Sequence, residues 1–244
     1  MSKKDDYYTS KVITKPWGYE YVIYNDKNNI AITFLMIKCG YKTSLHCHTQ
    51  KKTGFIILSG NAEVQYGIYK ENTKLMKPLT RLIFRPGLFH SIKSITKNDL
   101  YLLETENPYD KKDLVRLEDN YGRKAKEYEG KNFAKNLNSK FIKFKKPKLG
   151  SKNQYTFNNL QIILEKTKTF EKLTKNDYST SIAILDGSLV DNRNQRVISA
   201  GEIIKTSTLK ILSKTFKIKK PLTIMQIIKT KNSNKRTKNI FYES

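Results

Sequence analysis

Short apolar and alternating segments dominate the chain, and each has the length of a β-strand rather than of a helix. They are rich in Ile, Val, Tyr, Phe and Thr, and Gly, Asn, Asp or Pro separates them. The segments are 19–24, 30–37, 54–58, 62–66, 80–84 and 101–104 in the first half, and 160–164, 181–185, 197–199, 209–212 and 222–228 in the second. Their regular spacing predicts an all-β sandwich or barrel.

The stretch 124–150 interrupts this pattern because lysine is dense in it and it ends in Pro147 and Gly150. It predicts either a solvated connector or a short helix over about 124–137 with an extended basic segment behind it.

A weak internal repeat relates the two halves of the chain. Residues 55–60 (FIILSG) resemble 182–187 (IAILDG), 82–87 loosely match 197–201, and 101–104 loosely match 223–226. The repeat predicts two copies of one β-fold.

The charge is strongly positive, with 47 Lys+Arg against 22 Asp+Glu and a net charge of +25. Nearly all of these cations are lysines spread along the chain, and Asn and Ile are also abundant, which is typical of an AT-rich genome. There is no helix-turn-helix pattern, zinc-finger spacing or aromatic RNA-binding signature. Nucleic acid is therefore not the predicted ligand, and the positive field would equally attract phosphorylated small molecules.

Nothing in the sequence predicts a membrane or secreted protein. The longest apolar run, 30–37, is shorter than a membrane helix, and the N-terminal MSKKDDYYTS has no apolar signal region. Two cysteines, Cys39 and Cys47, are too few for a disulfide framework. We expect a soluble, cytoplasmic protein of one large or two small domains.

All three histidines, His46, His48 and His90, stand in a pattern that suits metal binding. His46 and His48 are two residues apart, so a β-strand would place both imidazoles on the same face. Gly40 precedes them by six residues, Gly60 follows His48 by twelve, and Gly87 lies three residues before His90. Two imidazoles on one face are half of a site for a divalent ion.

This arrangement resembles the cupin superfamily, whose first motif reads G, five residues, HxH, three or four residues, E, six residues, G. Here the motif runs from Gly40 through His46 and His48 to Gly60, with Thr53 at the glutamate position. The resemblance implies a double-stranded β-helix, or jelly roll, in which His46, His48 and His90 hold a divalent metal ion, whether Zn, Fe, Mn or Ni. The alternative is a cupin core whose histidines form hydrogen bonds without metal.

Three further segments narrow the resemblance. Residues 15–20 read KPWGYE, residues 103–106 read LETE, and residues 113–123 read DLVRLEDNYGR. They resemble the cupin module of type II phosphomannose isomerases, which also occurs in bifunctional mannose-1-phosphate guanylyltransferases. The likeness covers about 15–123, and the nucleotide-binding guanylyltransferase part is absent.

The resemblance implies a metal-dependent sugar-phosphate isomerase of the mannose-6-phosphate type. The metal would hold the sugar oxygens as a Lewis acid, and a general base would move a proton between C1 and C2. The candidate groups are Glu104 and Glu106 for proton transfer and Arg116 for phosphate, with Arg116 pairing Glu118 or Asp119 as the structural alternative. Candidate substrate contacts are Lys51 and Lys52 at the pocket rim and Arg85 beside His90.

Three departures from the family pattern leave other functions open. The family has QxH where this chain has His46-Cys-His48, a ligand Glu at Thr53, and Gln at Glu106. The alternatives are an Fe(II) cupin oxygenase or lyase, a metal-free epimerase with a histidine base, and a non-catalytic sugar-binding bicupin.

The complete prediction is a tandem bicupin whose second domain is degenerate. Its parts are a metal-binding cupin at 1–128, a basic linker at 129–150, a cupin-like β domain at 151–232 and a polar tail at 233–244, where Ile240 and Phe241 are candidates to dock back on the body. The second half contains no His or Cys, which predicts a metal-free domain. The expected role is nucleotide-sugar or surface-polysaccharide biosynthesis, the expected ligand a sugar phosphate, and the expected assembly a homodimer.

Overall fold

The computed structural model describes residues 6–26, 30–174, 180–230 and 241–243. The chain divides into two compact units, the first comprising 1–25 and 31–139 and the second 26–30 and 140–244. None of the helices in the described ranges is long and apolar enough to cross a bilayer.

The described residues of the first unit form twelve strands and two 3₁₀ turns. The 3₁₀ turns are Asp6–Ser10 and Lys131–Phe133. The strands are β1 (Lys11–Lys15), β2 (Gly18–Asp26), β3 (Ile30–Ile37), β4 (Leu45–Cys47), β5 (Lys52–Ser59), β6 (Ala62–Tyr66), β7 (Thr73–Met76), β8 (Arg81–Phe84), β9 (His90–Ser94), β10 (Leu100–Asn107), β11 (Val115–Glu118) and β12 (Ala134–Asn136).

These strands form two antiparallel sheets with the core between them. The larger sheet has the order β12-β1-β2-β3-β10-β5-β8, and the smaller has the order β11-β4-β9-β6-β7. One buried cluster takes Leu35, Phe55 and Leu102 from the larger sheet and Val64 and Ile92 from the smaller. Two sheets enclosing one core in this way form a jelly roll, so the predicted all-β class is confirmed.

The Pro-Trp-Gly segment turns the chain between β1 and β2 at a place where the backbone of β3 comes very close. Gly18 has φ +152°, and a Cβ there would lie 2.0 Å from the Met36 carbonyl oxygen. The Trp17 carbonyl accepts a 2.9 Å hydrogen bond from the Lys38 amide, and the Trp17 side chain is buried in the core. Only glycine fits this close approach.

The second unit contains one sheet and two short helices among its described residues. The strands are β13 (Lys152–Phe157), β14 (Leu160–Thr167), β15 (Ser181–Val190), β16 (Arg196–Ser199), β17 (Ile203–Lys205), β18 (Lys217–Lys229) and β19 (Phe241–Glu243), and the helices are α1 (Glu171–Thr174) and α2 (Thr206–Leu212). The sheet order is β16-β15-β18-β14-β13-β19, with β17 also paired to β15.

The predicted repeat matches corresponding strands of the two units. Segment 55–60 consists of the end of β5, which pairs with β8 and β10, and of Gly60 directly after it, whereas segment 182–187 lies in β15, which pairs with β16 and β18. Gly60 and Gly187 both have φ +85°, and in both the backbone of the partner strand approaches within about 3 Å of a Cβ position. The larger sheet of the first unit therefore has a counterpart in the second. That the second unit is a degenerate cupin stays a prediction.

Two expectations for the second half of the chain need correction. Residues 209–212, predicted as a strand, lie in helix α2, because Leu209 packs into the core cluster with Leu173 while Ile211 is exposed. The possible helix over 124–137 is absent; the segment ends in a 3₁₀ turn and in β12, which pairs with β1.

The boundaries of the predicted linker and tail also differ from the structure. The unit boundary falls after residue 139, so the first part of 129–150 belongs to the first unit. Within 233–244, Phe241 is buried and β19 pairs with β13, whereas Ile240 lies outside the described residues.

Replacing Gly18 with Ala should destabilise the first unit by about 2–4 kcal/mol, because the backbone must shift to relieve the contact with Met36. Urea unfolding of the wild type and of the Gly18→Ala variant measures the difference in the free energy of unfolding. The matched control is Gly130→Ala, where a Cβ would meet nothing within 4 Å. Equal stability of the two variants would contradict the close approach.

Candidate metal centre

Strand pairing brings the three histidines together inside the first unit. His46 on β4 lies directly opposite His90 on β9, and His48 follows the end of β4. The ring centroids are 4.6 Å apart for His46 and His90, 5.1 Å for His46 and His48, and 5.4 Å for His48 and His90. One nitrogen from each ring lies within 4.8 Å of the other two. Three nitrogens bound to one zinc-like ion stand roughly 3.4 Å apart, so a modest closing of the rings completes a site.

The main chain fixes the orientation of all three imidazoles. The Nδ1 atoms hydrogen-bond the carbonyl oxygens of Ser44 at 2.8 Å, Asp113 at 2.6 Å and Leu88 at 3.0 Å. A carbonyl only accepts, so each Nδ1 carries the proton and each Nε2 keeps its lone pair. The Nε2 atoms of His48 and His90 are buried and have no partner among the described residues. This is how metal-binding histidines are usually arranged, so the residues fit a divalent ion.

Asp113 holds the segment that follows the histidines. Its carboxylate accepts hydrogen bonds from the amides of Thr49 (2.7 Å), Gln50 (3.1 Å) and Lys51 (2.9 Å), while its own carbonyl accepts the His48 proton. The Asp-Leu-Val-Arg element therefore positions one of the candidate ligands.

The three imidazoles are neutral at physiological pH. Loss of solvation, with additional repulsion from neighbouring cations, lowers the pKa of His48 to about 2 and that of His90 to about 4. The same causes hold the pKa of His46 well below its usual value. Neutral imidazole is the form that binds a metal ion.

The imidazoles line a narrow, charged cavity. Its empty volume, including the open mouth, is about 570 Å³, but the centres of water molecules can occupy only about 60 Å³ of it. The interior has room for an ion and a few water molecules, not for a whole sugar phosphate. Its other charged lining residues are Lys15, Glu20, Lys51, Glu104, Glu106, Lys111, Arg116 and Arg123.

Glu106 is fully committed to an ion-pair network. Its carboxylate lies 2.7 Å from Lys51 Nζ and 2.9 Å from Lys111 Nζ, and Thr33 Oγ1 donates to it at 2.6 Å. Although the residue is buried, these cations hold the pKa of Glu106 well below its usual value. Lys51, which was expected at the rim of the pocket, is buried as well. Its Nζ atom also donates a hydrogen bond to the Asp110 carbonyl at 3.0 Å.

Glu104 has the opposite environment. It is buried, lines the cavity, and forms no hydrogen bond or salt bridge with any residue that the structure describes. Burial, and then the charge of Glu106, raise the pKa of Glu104 to about 8. Two carboxyl groups on one face of β10 therefore divide into an ionised, paired group and a group able to exchange a proton near neutral pH.

Thr53, at the position of the family's ligand glutamate, is buried and directly opposite Glu106 on the neighbouring strand. Its Oγ1 has no hydrogen-bond partner among the described residues. The candidate ligand group contains the three histidines and no carboxylate.

Arg116 is buried, and it forms an ion pair with neither Glu118 nor Asp119, the two partners that the structural alternative named. It donates to the carbonyls of Lys126 (2.6 Å) and Glu127 (2.7 Å) and lies 3.2 Å from Glu129. Asp119 instead pairs with Arg123 at 2.6 Å.

The predicted substrate contacts of Lys52 and Arg85 need correction, because neither residue lines the cavity. Lys52 precedes Thr53 on β5, so the alternation of the strand turns it to the other face. Arg85 is exposed at the turn after β8 instead of pointing inward beside His90.

Several cavity residues were missed from the sequence. Lys15, Glu20 and Lys111 form buried ion pairs there, Tyr128 also lines the cavity, and Glu129 lies behind the lining as an ion-pair partner of Lys15, Arg116 and Arg123. Lys15 and Glu20 flank the Pro-Trp-Gly segment, which was a usable signal. Tyr128 and Glu129 lie in the lysine-rich stretch that predicts a connector, and nothing there distinguishes them.

Comparison with known proteins agrees with this architecture. Residues 2–119 match the family model for the C-terminal domain of mannose-6-phosphate isomerases. The first unit is therefore a cupin with a phosphomannose isomerase-like module, and the predicted resemblance is confirmed.

Two curated relatives are Xanthan biosynthesis protein XanB from two strains of Xanthomonas campestris pv. campestris. Each is 30% identical over 117 residues, which is 46% of this chain and 23% of the relative. The matched segment thus spans about a quarter of the length of these relatives.

The solved structures with a similar fold have low TM-scores against this chain. The cupin domain of Schizosaccharomyces pombe Cnp3 is 22% identical, covering 37% of this chain and 64% of that chain, with a TM-score of 0.35. KdgF from Halomonas sp. is 11% identical, covering 41% and 88%, with a TM-score of 0.37. The capsular polysaccharide assembling protein CapF from Staphylococcus aureus is 16% identical, covering 44% and 34%, with a TM-score of 0.40. The assignment of the first unit to this family therefore rests on the match to the family model over residues 2–119.

Replacing His46 with Gln should weaken binding of a divalent ion at least about 100-fold, because one of three ligands is lost. Calorimetric titration with Zn²⁺ and elemental analysis measure this. Cys47→Ser is the matched control, since Cys47 lies between the histidines on the opposite face of β4. Equal affinity of the two variants would contradict the site.

The metal-free protein should lose stability as pH falls below about 6.5. His48 and His90 titrate near 6.5 when unfolded but at about 2 and about 4 when folded. The unfolded chain therefore binds more protons in this window. Glu104, with a folded pKa of about 8, acts in the opposite sense, but it is one group against three imidazoles.

We expect a loss of roughly 1–2 kcal/mol in the free energy of unfolding between pH 6.5 and 5.5. Urea titrations in the presence of a chelator measure it. The His46→Gln variant should have a shallower dependence, and a flat profile for the wild type would show that the imidazoles are not buried as neutral groups.

Proposed function

We propose that the first unit is a metal-dependent sugar-phosphate isomerase-like cupin that acts in nucleotide-sugar or surface-polysaccharide biosynthesis. The observation that carries this proposal is a single cavity with three oriented, neutral imidazoles beside Glu104, a buried carboxyl group with a pKa of about 8. The name of the matched relatives, xanthan biosynthesis protein, supports the polysaccharide context.

Isomerisation of an aldose to a ketose needs a group that moves a proton between two adjacent carbons. Glu104 suits this task, because its carboxyl group faces the cavity without a competing partner and its pKa lies near the working pH. Glu106 is unsuited, since Lys51 and Lys111 stabilise its ionised form. A divalent ion held by His46, His48 and His90 would polarise the sugar's carbonyl group as a Lewis acid.

The narrow interior limits how a sugar phosphate can bind. Only the reacting end of the sugar fits beside the imidazoles, so the rest of the molecule lies at the mouth of the cavity. The cations of the cavity wall provide the charge that a phosphate group needs. Cytoplasmic location and a homodimer remain part of the proposal.

An Fe(II)-dependent oxygenase or lyase is a second candidate, and a ligand group of three converging histidines, which leaves coordination positions open, supports it. Three neutral ligands with open positions suit iron and oxygen chemistry. An iron centre whose spectrum changes with nitric oxide, together with turnover of a substrate without phosphate, would support this candidate over the isomerase.

Glu104→Gln should lower the turnover of hexose 6-phosphates by about 10²–10⁴-fold, because the amide cannot accept the proton. Discontinuous isomerase assays with mannose, glucose and fructose 6-phosphates measure the rate, and elemental analysis should show unchanged metal content. Glu118→Gln, an exposed glutamate on β11, is the matched control. Full activity of the Glu104 variant would exclude this residue as the base, and inactivity of the wild type on every hexose phosphate would exclude the isomerase.

A further inference from the structure

The side chain of Glu129 lies among three cations. Its Oε1 atom is 2.6 Å from Arg123 Nη1 and 3.2 Å from Arg116 Nη2, and its Oε2 atom forms an ion pair with Lys15. The side chain is only 5% exposed. We call Lys15, Arg116 and Arg123 the cation cradle.

Glu129 reaches the cradle from an irregular segment rather than from a strand. Residues 124–130, which we call the strap, precede the 3₁₀ turn before β12. Residues 124–127 are exposed, and of the whole strap only Glu129 is fully buried, beside a half-buried Tyr128. The strap follows Gly122, which has φ +71°, and it lies beyond residue 119, where the family match ends.

The charges around the cavity nearly balance only because Glu129 is present. The cradle, with Lys51 and Lys111, supplies five cations. Four ionised carboxylates pair with them, namely Glu20, Glu106, Asp119 and Glu129. If Glu129 left, two positive charges would be uncompensated, which is the charge that a phosphate dianion would neutralise.

Arg116 also has one hydrogen-bond donor that is not used. Its side chain is 2% exposed, and its Nε atom is buried without an acceptor among the described residues. A buried guanidinium donor without an acceptor is costly. A carboxylate offers two oxygens to the cradle, whereas a phosphate monoester offers three in a tetrahedral arrangement and therefore suits three cations and a spare donor better.

We propose that the cation cradle is a binding site for a phosphate monoester and that Glu129 fills it as an internal substitute anion until phosphate displaces it. The proposal deepens the sugar-phosphate function and in that respect rests on it, but it concerns a different part of the cavity from the imidazoles. Displacement of Glu129 moves the strap away from the cradle. The hydrogen bonds from Arg116 to the carbonyls of Lys126 and Glu127 then break, and phosphate oxygens accept from the guanidinium in their place. The movement also widens the mouth of the cavity, where the part of the sugar phosphate outside the narrow interior lies. A singly charged carboxylate ligand gains nothing over Glu129 and is not expected to displace it.

Titration of the full-length protein with inorganic phosphate tests the proposal, using the fluorescence of Trp17, the only tryptophan, which lines the same cavity. Glu129→Gln removes the competing charge, so phosphate should bind about tenfold more tightly than to the wild type. Glu127→Gln, an exposed neighbour on the strap, is the matched control and should bind like the wild type. Chloride at equal ionic strength should have no effect.

Limited trypsin digestion of the wild type keeps the test independent of whether the Glu129 variant folds. Phosphate should accelerate cleavage after Lys124 and Lys126, because the strap leaves the cradle. Equal phosphate affinity of wild type and Glu129→Gln, or unchanged cleavage of the strap in saturating phosphate, would overturn the proposal.

Chelator treatment and the His46→Gln variant separate this site from the metal centre. Phosphate binding that survives both supports the cradle, whereas binding that disappears with the metal places phosphate on the ion and overturns the proposal. The isomerase assay is scored separately, so a protein that binds phosphate at the cradle without isomerising sugars refutes the proposed function alone.

Discussion

Charge burial is the constraint on which the interior of the first unit depends. The charged side chains around the cavity are buried, so each ionised group there needs a partner of opposite charge. Lys51 and Lys111 satisfy Glu106, and the cation cradle satisfies Glu129. Groups without such a partner take their neutral forms: the imidazoles have lowered pKa values, and Glu104 has a raised one. Glu104 thus differs from Glu106 by its surroundings, although they are two residues apart on one strand.

The same constraint explains how two departures from the family pattern belong together. The pattern has a carboxylate at position 53 and an amide at position 106, whereas this chain has Thr53 and Glu106, which face each other across β5 and β10. The carboxylate has in effect moved to the opposite strand, where lysines balance it. A divalent ion on three neutral imidazoles would keep its full charge, which favours Lewis-acid chemistry but weakens the preference for hard metals. Its field would also lower the pKa of Glu104 and bring that group closer to its ionised, proton-accepting form.

The sequence predicted what depends on local pattern and failed where long-range contacts decide. Strand periodicity located ten of the nineteen strands in the described part of the chain, β3 and β6 among them, and the spacing of His46, His48 and His90 located the candidate ligands. Residues 209–212 have the composition of a strand, but burial of Leu209 against the neighbouring elements makes them helical. Glu129 could not have been found, because its role depends on cations distant in the chain, of which Lys15 is the farthest.

The second unit shows why a repeat of one sheet need not repeat the site. In the first unit, the candidate ligands come from β4 and β9 of the smaller sheet, which lie between β3 and β5 and between β8 and β10 along the chain. At the corresponding places, the described part of the second unit has α1, and then β17 followed by α2. Strand β17 pairs with β15 of the one sheet, and Leu173 and Leu209 of the two helices lie in the core. The sheet with the Gly187 turn persists, because strand pairing and burial of Ile184 and Leu222 stabilise it without a ligand. Two short helices can close such a core, but they cannot place two imidazoles opposite each other at the spacing of paired strands. The described part of the second unit therefore lacks the strand geometry of the metal centre, and this half of the sequence contains no His or Cys to supply the donors.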